Sequence, residues 1–100
     1  LTNLMYLDLS RNQISALPAW SAESLLITID CSNNKLSSLD TLAGLKLLNN
    51  VYADYNESLK SIKSLANCPM LIQVNVYGTK VTSVSSLTDQ GIIVNYNPVQ

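Results

Sequence analysis

The sequence of 100 residues contains no histidine, only two cysteines and only three glycines. Without histidine there is no Ser-His-Asp triad and no imidazole base, and two cysteines alone do not complete a usual zinc site. The glycines, Gly44, Gly78 and Gly91, are too scattered to form a loop that holds phosphate groups. The composition therefore indicates a non-enzymatic protein with no cofactor, no metal site and no catalytic residues.

Charge is also scarce. Six Lys plus Arg stand against seven Asp plus Glu, so no basic surface is available to hold a phosphate backbone through counterion release. No apolar run approaches the roughly 20 residues of a membrane span, and the N-terminus "LTNLMYLDLS" lacks the basic start and apolar core of a signal peptide. We expect no nucleic acid partner and no membrane insertion.

What the sequence does contain is an internal repeat. The phrase "LDLSRNQISAL" at residues 7–17 returns as "IDCSNNKLSSL" at residues 29–39. Aliphatic columns recur at fixed spacing around one polar position per repeat, with Glu23 and an insertion at Glu57-Ser58 as departures. Self-similarity at such a period is typical of a solenoid. We expect one domain over residues 1–100, with four full repeats and a partial fifth (Ile92, Val94, Asn97 and Val99), cut from a longer chain.

Local patterns predict how each repeat is built. In "YLDLS", "TIDCS", "VYADY" and "QVNVY" apolar residues alternate with polar or aromatic ones, which is the period of a short strand with one buried face. One repeat cannot bury that face alone, so stacked repeats should form a parallel sheet. Pro18 and Pro69 disfavour long helices behind it, where we expect turns, 3₁₀ segments or one-turn helices. One column should cover the back of the core: Trp20, Leu42, Leu65 and Leu87.

The pattern resembles the leucine-rich repeat family, whose motif L-x-x-L-x-L-x-x-N-x-L is met almost column by column. The repeat length of about 22 residues is most similar to that of the internalin-type repeats of bacterial surface proteins, and "SLTDQGIIVNYNPVQ" resembles the strand that closes such arrays. The resemblance implies an α/β solenoid, a right-handed curved array with its parallel sheet on the concave face. It also implies adhesion or recognition at the cell surface or outside the cell, with a cytoplasmic location left open.

The recurring asparagine has a structural explanation. Where the chain leaves the strand, backbone groups turn inward, and burying them unpaired would cost about 1–3 kcal/mol each. An asparagine amide can both donate and accept, so we expect an inner ladder with a weaker rung at Thr79. Asn56-Glu57-Ser58 also matches a glycosylation acceptor, which an inner position would disfavour. The expected ladder comprises Asn12, Asn34, Asn56 and Asn97.

The two cysteines lie in core columns. Cys31 follows Asp30 and could be imagined as a nucleophile, but its column is otherwise aliphatic, which favours a packed thiol. Cys68 opens the fourth repeat in another core column. Two stacking steps of roughly 5 Å separate their layers, and a disulfide needs Cα atoms within about 7 Å. We expect no bridge between them.

Outward strand positions carry the candidate binding residues. The repeat pattern assigns all five tyrosines of the chain to this face, and tyrosine is enriched in binding hot spots; cross-strand stacking without a partner is the alternative. Asp8 and Asp30 occupy equivalent outward positions, where solvation, a cation or a basic group of a partner would offset their repulsion. The expected binding residues are Tyr6, Asp8, Arg11, Asp30, Tyr52, Asp54, Tyr55, Asn75, Tyr77 and Tyr96.

Three functional hypotheses remain at this stage. The first is a recognition module that binds a protein, a peptide or a glycan on the concave face. The second is a structural spacer that presents neighbouring domains, and the third is a scaffold attached to an enzyme elsewhere in a longer chain. Leu1, Leu4 and Leu7 should present apolar surface at the first repeat, so we also expect end-to-end self-association.

Overall fold

A computed structural model describes residues 3–21 and 23–97. Within these ranges the chain forms five short strands that pair in chain order as one parallel sheet. The alternation of apolar and polar residues explains why each strand buries one face only. The parallel stack predicted from the repeat is confirmed. The strands are β1 (Tyr6–Asp8), β2 (Thr28–Asp30), β3 (Asn50–Tyr52), β4 (Gln73–Val76) and β5 (Ile93–Tyr96).

The sheet register follows one buried column. Leu7 pairs with Ile29 and Ile29 with Val51, so the number of residues from one strand to the next is the same in the first two steps of the sheet. Val51 pairs with Val74, a step that is one residue longer, so the residue inserted after Asn56 is accommodated in the loop without moving the strands out of register. Because successive side chains point to opposite faces, this register keeps the apolar column continuous.

The register of the last strand corrects the position expected for Tyr96. Val74 pairs with Val94, which makes the last step the shortest of the four, and Tyr96 pairs with the buried Val76. The half-buried ring of Tyr96 packs against the hydrophobic core. It therefore does not lie with the other tyrosines on the outward face of the sheet.

The same register corrects the role expected for Asn97. Asn97 follows Tyr96 and so stands in line with Tyr77, not with Thr79, and it is exposed. The expected inner position was wrong because it placed the last repeat two residues out of step with its neighbour. Val99, which the repeat pattern also assigned to the partial fifth repeat, lies outside the described residues.

Short segments cover the other face of the sheet, as predicted. They are two 3₁₀ turns, Asp40–Leu42 and Lys63–Asn67, and a one-turn helix, α1 (Ser85–Thr88). Each contributes one fully buried leucine from the expected column: Leu42, Leu65 and Leu87. Trp20, the first member of that column, is only half-buried but packs against the same core.

Burial is complete in the middle of the array and partial at its first repeat. Ile29, Cys31 and Leu36 are fully buried, whereas Leu7 and Leu9 in the corresponding first-repeat columns are half-buried. Leu4 is also half-buried, and Leu1 lies outside the described residues. The end-to-end packing expected from the sequence stays a prediction, and these are the side chains that it would cover.

Two further observations limit what the fold can contain. Among the described residues, no helix has the length and apolar character needed to cross a membrane. The same part of the chain holds no group of three His, Cys, Asp or Glu side chains placed to bind a metal ion.

Candidate recognition surface

The open face of the sheet is the face opposite the 3₁₀ turns, and it corresponds to the concave face expected from the repeat. Its side chains stand in rows that cross the strands at the spacing of roughly 5 Å between neighbours. The first row is Tyr6, Thr28, Asn50, Gln73 and Ile93, and the second is Asp8, Asp30, Tyr52, Asn75 and Asn95. A third row, just past the strand ends, is Ser10, Ser32, Asp54 and Tyr77.

Backbone pairing continues into this third row. The N–H of Arg11 donates to the carbonyl of Ser32, and the N–H of Tyr55 donates to the carbonyl of Tyr77 at 2.6 Å. The sheet therefore holds the third row almost as firmly as the first two. Side chains of all three rows are presented from paired backbone, which keeps a binding surface preorganised.

The chain then turns through a left-handed residue at the same place in each of the first four repeats. Positive φ values occur at Arg11 (61°), Asn33 (58°), Tyr55 (58°) and Gly78 (69°). Glycine and asparagine tolerate this conformation, while arginine and tyrosine adopt it at a cost of roughly 1–2 kcal/mol. Sequence patterns did not reveal this column, although Asn33 and Gly78 are the residue types that signal it.

Tyr55 and Gly78 are in contact across two repeats. A Cβ atom built on Gly78 would overlap the ring of Tyr55, so the ring lies directly against the glycine backbone. Gly78 therefore answers two requirements at once, a positive φ and space for a neighbouring aromatic ring. The contact orients Tyr55 at the edge of the open face.

Asn34 supports the turn from inside. Its Oδ1 accepts from the N–H of Ile14 at 3.0 Å, and its Nδ2 donates to the carbonyls of Leu9 (2.9 Å), Cys31 (3.0 Å) and Ser32 (3.2 Å). Two of these groups belong to its own repeat and two to the preceding one. One amide therefore satisfies buried backbone groups of two adjacent turns.

Asn56 repeats the arrangement one layer further on. Its Oδ1 accepts from the N–H of Leu36 at 3.0 Å, and its Nδ2 donates to the carbonyls of Cys31 (3.1 Å) and Ala53 (3.0 Å). The side chain is fully buried, which leaves no space for a glycan. The carbonyl of Cys31 thus accepts from both buried asparagines.

The other two turns are held more weakly. Asn12 is exposed and donates only within its own repeat, to the carbonyls of Leu9 and Ser10. Thr79 donates its hydroxyl to the carbonyl of Val76 at 2.7 Å and accepts from the N–H of Val81 at 3.2 Å. Among the described residues, Thr79 has no side-chain hydrogen bond to the preceding repeat, and Asn12 lies in the first repeat of the sequence.

Three aspartates cross the open face. Asp8 and Asp30 are paired positions on adjacent strands. Asp8 accepts from both the hydroxyl and the backbone N–H of Ser10, and these bonds lower the pKa of its carboxyl. Asp30 accepts from the N–H of Ser32 at 3.1 Å. Each carboxylate thus has a local donor and remains available to solvent or to a partner.

Asp54 lies in a different environment. Its carboxylate accepts from the backbone N–H of Tyr77 at 2.7 Å. Burial raises the pKa of this carboxyl, and the nearby negative charge of Asp30 raises it further, while the bond from Tyr77 acts in the opposite direction. The net effect is a carboxyl that is less easily ionised than a free aspartate, because desolvation outweighs its hydrogen bond.

The tyrosines of the open face differ in exposure. Tyr6 is 59% exposed, Tyr55 57% and Tyr77 43%, and Tyr52 is half-buried between neighbours. Ile93 extends this apolar character to the last strand, where it is 55% exposed. Exposed aromatic side chains on one face are typical of protein interfaces, where such residues are enriched.

Part of the face is hydrogen-bonded within itself. The Oδ1 of Asn75 accepts from Nε2 of Gln73 at 3.1 Å and from Nδ2 of Asn95 at 2.7 Å. These amides therefore stabilise the sheet whether or not a partner binds. Of the side chains that the sequence proposed for binding, Asn75 has the clearest structural explanation.

Both cysteines are free and buried, as expected for core columns. Burial raises the pKa of the Cys31 thiol to about 12, with a further contribution from the negative charge of Asp30. The Cys68 thiol donates to the carbonyl of Leu42 at 3.2 Å, and burial raises its pKa as well. Thiols held in the protonated form are poor nucleophiles.

Comparison with known families identifies the repeat unit. A family model described as Leucine Rich Repeat matches residues 3–25, which cover β1 and the turn after it. The same columns continue in register through β5. The five parallel strands and the short turns behind them are consistent with a leucine-rich repeat solenoid. No curated protein matches the chain at a significant level. Leucine-rich repeats generally mediate protein–protein interactions and are typically non-catalytic, which agrees with an open face rich in exposed tyrosine.

Proposed function

We propose that the chain is a non-catalytic recognition module that binds a protein or peptide partner on its open face. The observation that carries the proposal is the exposure of Tyr6, Tyr55 and Tyr77 on a single sheet face. Tyrosine supplies a large contact area at low entropic cost, and the paired strands hold the rings in place before binding. The general role of leucine-rich repeats in protein–protein interaction supports the proposal.

This function can be tested by selecting, from a library of displayed random peptides, those that bind the whole chain. We expect enriched peptides that bind the chain and lose affinity by about tenfold in the Tyr6→Ala and Tyr77→Ala variants, since central aromatic contacts contribute about 1–2 kcal/mol or more. Met70→Ala is the matched control, because Met70 is 54% exposed but lies in the loop before β4, outside the three rows. Peptides that bind both tyrosine variants as well as the parent would exclude the open face as the binding surface.

A spacer that presents neighbouring domains and binds no specific ligand is the second candidate. The internal bonds of Asn75 and the contact of Tyr55 with Gly78 favour it, because they give these residues a structural role that needs no partner. The same selection discriminates the two candidates. A spacer predicts no enriched peptide, and a parallel glycan array tests whether the ligand is a saccharide.

We further propose that the chain belongs to an internalin-like surface or adhesion protein of a bacterium. The first three strands are separated by equal numbers of residues, and a repeat of this length resembles the internalin-type repeats. This equal separation supports the assignment. Antibodies raised against the chain should label intact cells of the source organism. Labelling that requires permeabilised cells would contradict a surface location.

A further inference from the structure

The open face is unequally charged. It carries three carboxylates, Asp8, Asp30 and Asp54, in its second and third rows. None of the five lysines of the sequence lies in the three rows. The single arginine, Arg11, stands at the edge of the face, in the turn position equivalent to that of Tyr55, so the face carries one positive charge against three carboxylates. The face that exposes the tyrosines is therefore acidic, although the chain as a whole is almost neutral, with a net charge of −1.

Aspartate and tyrosine are neighbours twice on this face. In the second row Asp30 pairs with Tyr52 on the adjacent strand. In the third row the carboxylate of Asp54 accepts a hydrogen bond from the backbone N–H of Tyr77 at 2.7 Å. The two pairs are adjacent, because Tyr52 and Asp54 are two residues apart in the chain and alternate residues of a strand share one face. Each pair therefore places a carboxylate next to a tyrosine residue, through the strand pairing in one case and through the backbone of Tyr77 in the other.

We propose that the partner bound on the open face presents a basic peptide segment, with lysine or arginine side chains placed at the Asp30–Tyr52 and Asp54–Tyr77 pairs. This inference rests on the proposed recognition function and names the class of its ligand. A cationic side chain there gains attraction to the carboxylate and to the ring face, and its aliphatic stem covers the tyrosine. It also offsets the mutual repulsion of the two carboxylates.

A peptide cation fits this surface better than a metal ion does. Within the described residues no three acidic, histidine or cysteine side chains converge on one point, which a metal ion would require. The carboxylates are instead distributed across β1, β2 and the turn after β3. Such spacing suits several basic side chains that follow one another along a segment.

The library selection against the whole chain also tests the inference when the enriched peptides are sequenced. We expect their lysine and arginine content to exceed that of the starting library. Affinity of the basic peptides should fall by about tenfold, or about 1.4 kcal/mol, in the Asp30→Asn/Asp54→Asn variant, and should fall with added salt. Asparagine keeps an acceptor oxygen for Ser32 and Tyr77, and thermal melting verifies that the variant folds.

Asp89→Asn is the matched control. It removes one negative charge, where the double variant removes two, from an exposed position that directly follows α1, on the covered side of the sheet, and should leave the affinity unchanged. Enriched peptides without a basic bias, or basic peptides that bind the double variant unchanged, would overturn the charge selectivity and leave peptide recognition standing. A selection that enriches no peptide would overturn peptide recognition, and the present inference with it.

Discussion

The side-chain oxygen of Asn34 accepts a hydrogen bond from the backbone N–H of Ile14, twenty residues earlier in the chain. The bond joins two successive turns at a partly buried position. The recurring asparagine is thus a connection between repeats as well as a support of its own turn. The differences among the four turns make this testable.

Asn34→Ala should destabilise the chain by about 1–3 kcal/mol more than Thr79→Ala. Removing the amide leaves the N–H of Ile14 unpaired and takes one of two donors from each carbonyl that Asn34 contacts, whereas the threonine hydroxyl bonds only to its own repeat. Urea denaturation midpoints measure the difference. Asn12→Ala is the control, since the exposed Asn12 should cost least. Midpoints in the reverse order would show that other contacts hold the turns.

Gly78→Ala should be the most destabilising of the three glycine substitutions. All three glycines have positive φ, but a methyl group at Gly44 or Gly91 would meet no atom within 4 Å, whereas at Gly78 it would overlap Tyr55. We expect backbone strain to lower the free energy of unfolding by roughly 1–2 kcal/mol at each site. At Gly78 the overlap should lower it by roughly 1–3 kcal/mol more. Calorimetric melting of the three variants makes the comparison.

Adding Tyr55→Ala to Gly78→Ala separates the two effects. If the ring is the obstacle, the double variant recovers part of the stability lost by Gly78→Ala alone. Non-additivity of this sign is expected only for side chains in contact. Strictly additive losses would contradict the packing of Tyr55 on Gly78.

Asp54→Asn and Asp8→Asn should change stability in opposite directions at neutral pH. The pKa of Asp54 is raised by burial in the folded chain, so its ionisation opposes folding above the folded pKa, and its replacement should stabilise. The pKa of Asp8 is lowered by its bonds to Ser10, so its charge favours folding above the unfolded pKa, and its replacement should destabilise.

Both differences should disappear in acid. As the pH falls through the folded pKa of each carboxyl, the parent chain loses the charge that the asparagine variant lacks. Thermal melting of parent and variants from neutral pH to an acid pH below the folded pKa of Asp8, which lies under the ordinary aspartate value, follows this convergence. A stabilising effect of Asp8→Asn at neutral pH would contradict the bonds assigned to Ser10.

Cys31 and Cys68 should react with a thiol reagent only when the chain unfolds. Both are buried, and the pKa of the Cys31 thiol is raised to about 12, so almost no thiolate is present near pH 8. Labelling rates in buffer and in denaturant, followed by absorbance, test this. Rapid labelling of the native chain, or a cross-linked peptide pair in a non-reducing digest, would mean that the repeat register is wrong near that cysteine.

Strands and turns were predictable because a repeated pattern averages out local ambiguity. The aliphatic columns around Asn12 and Asn34 predicted β1, β2 and the stacking between them, and short segments with prolines predicted 3₁₀ turns behind the sheet. The outward positions of Tyr6, Tyr52 and Tyr77 followed from the alternation within strands. Each of these properties depends on neighbours in sequence or on equivalent positions of the next repeat.

The solenoid, its buried columns and most of its open face could therefore be predicted from the residue pattern. The stacking of the repeats decided that Tyr96 packs inward and that Asn97 is exposed, because pairing with β4, rather than the local pattern, sets the register of the last strand. It also decided the contact of Tyr55 with Gly78 and the burial of Asp54 beside Tyr77. These features arise where residues of different repeats meet, and their distances depend on how the repeats stack.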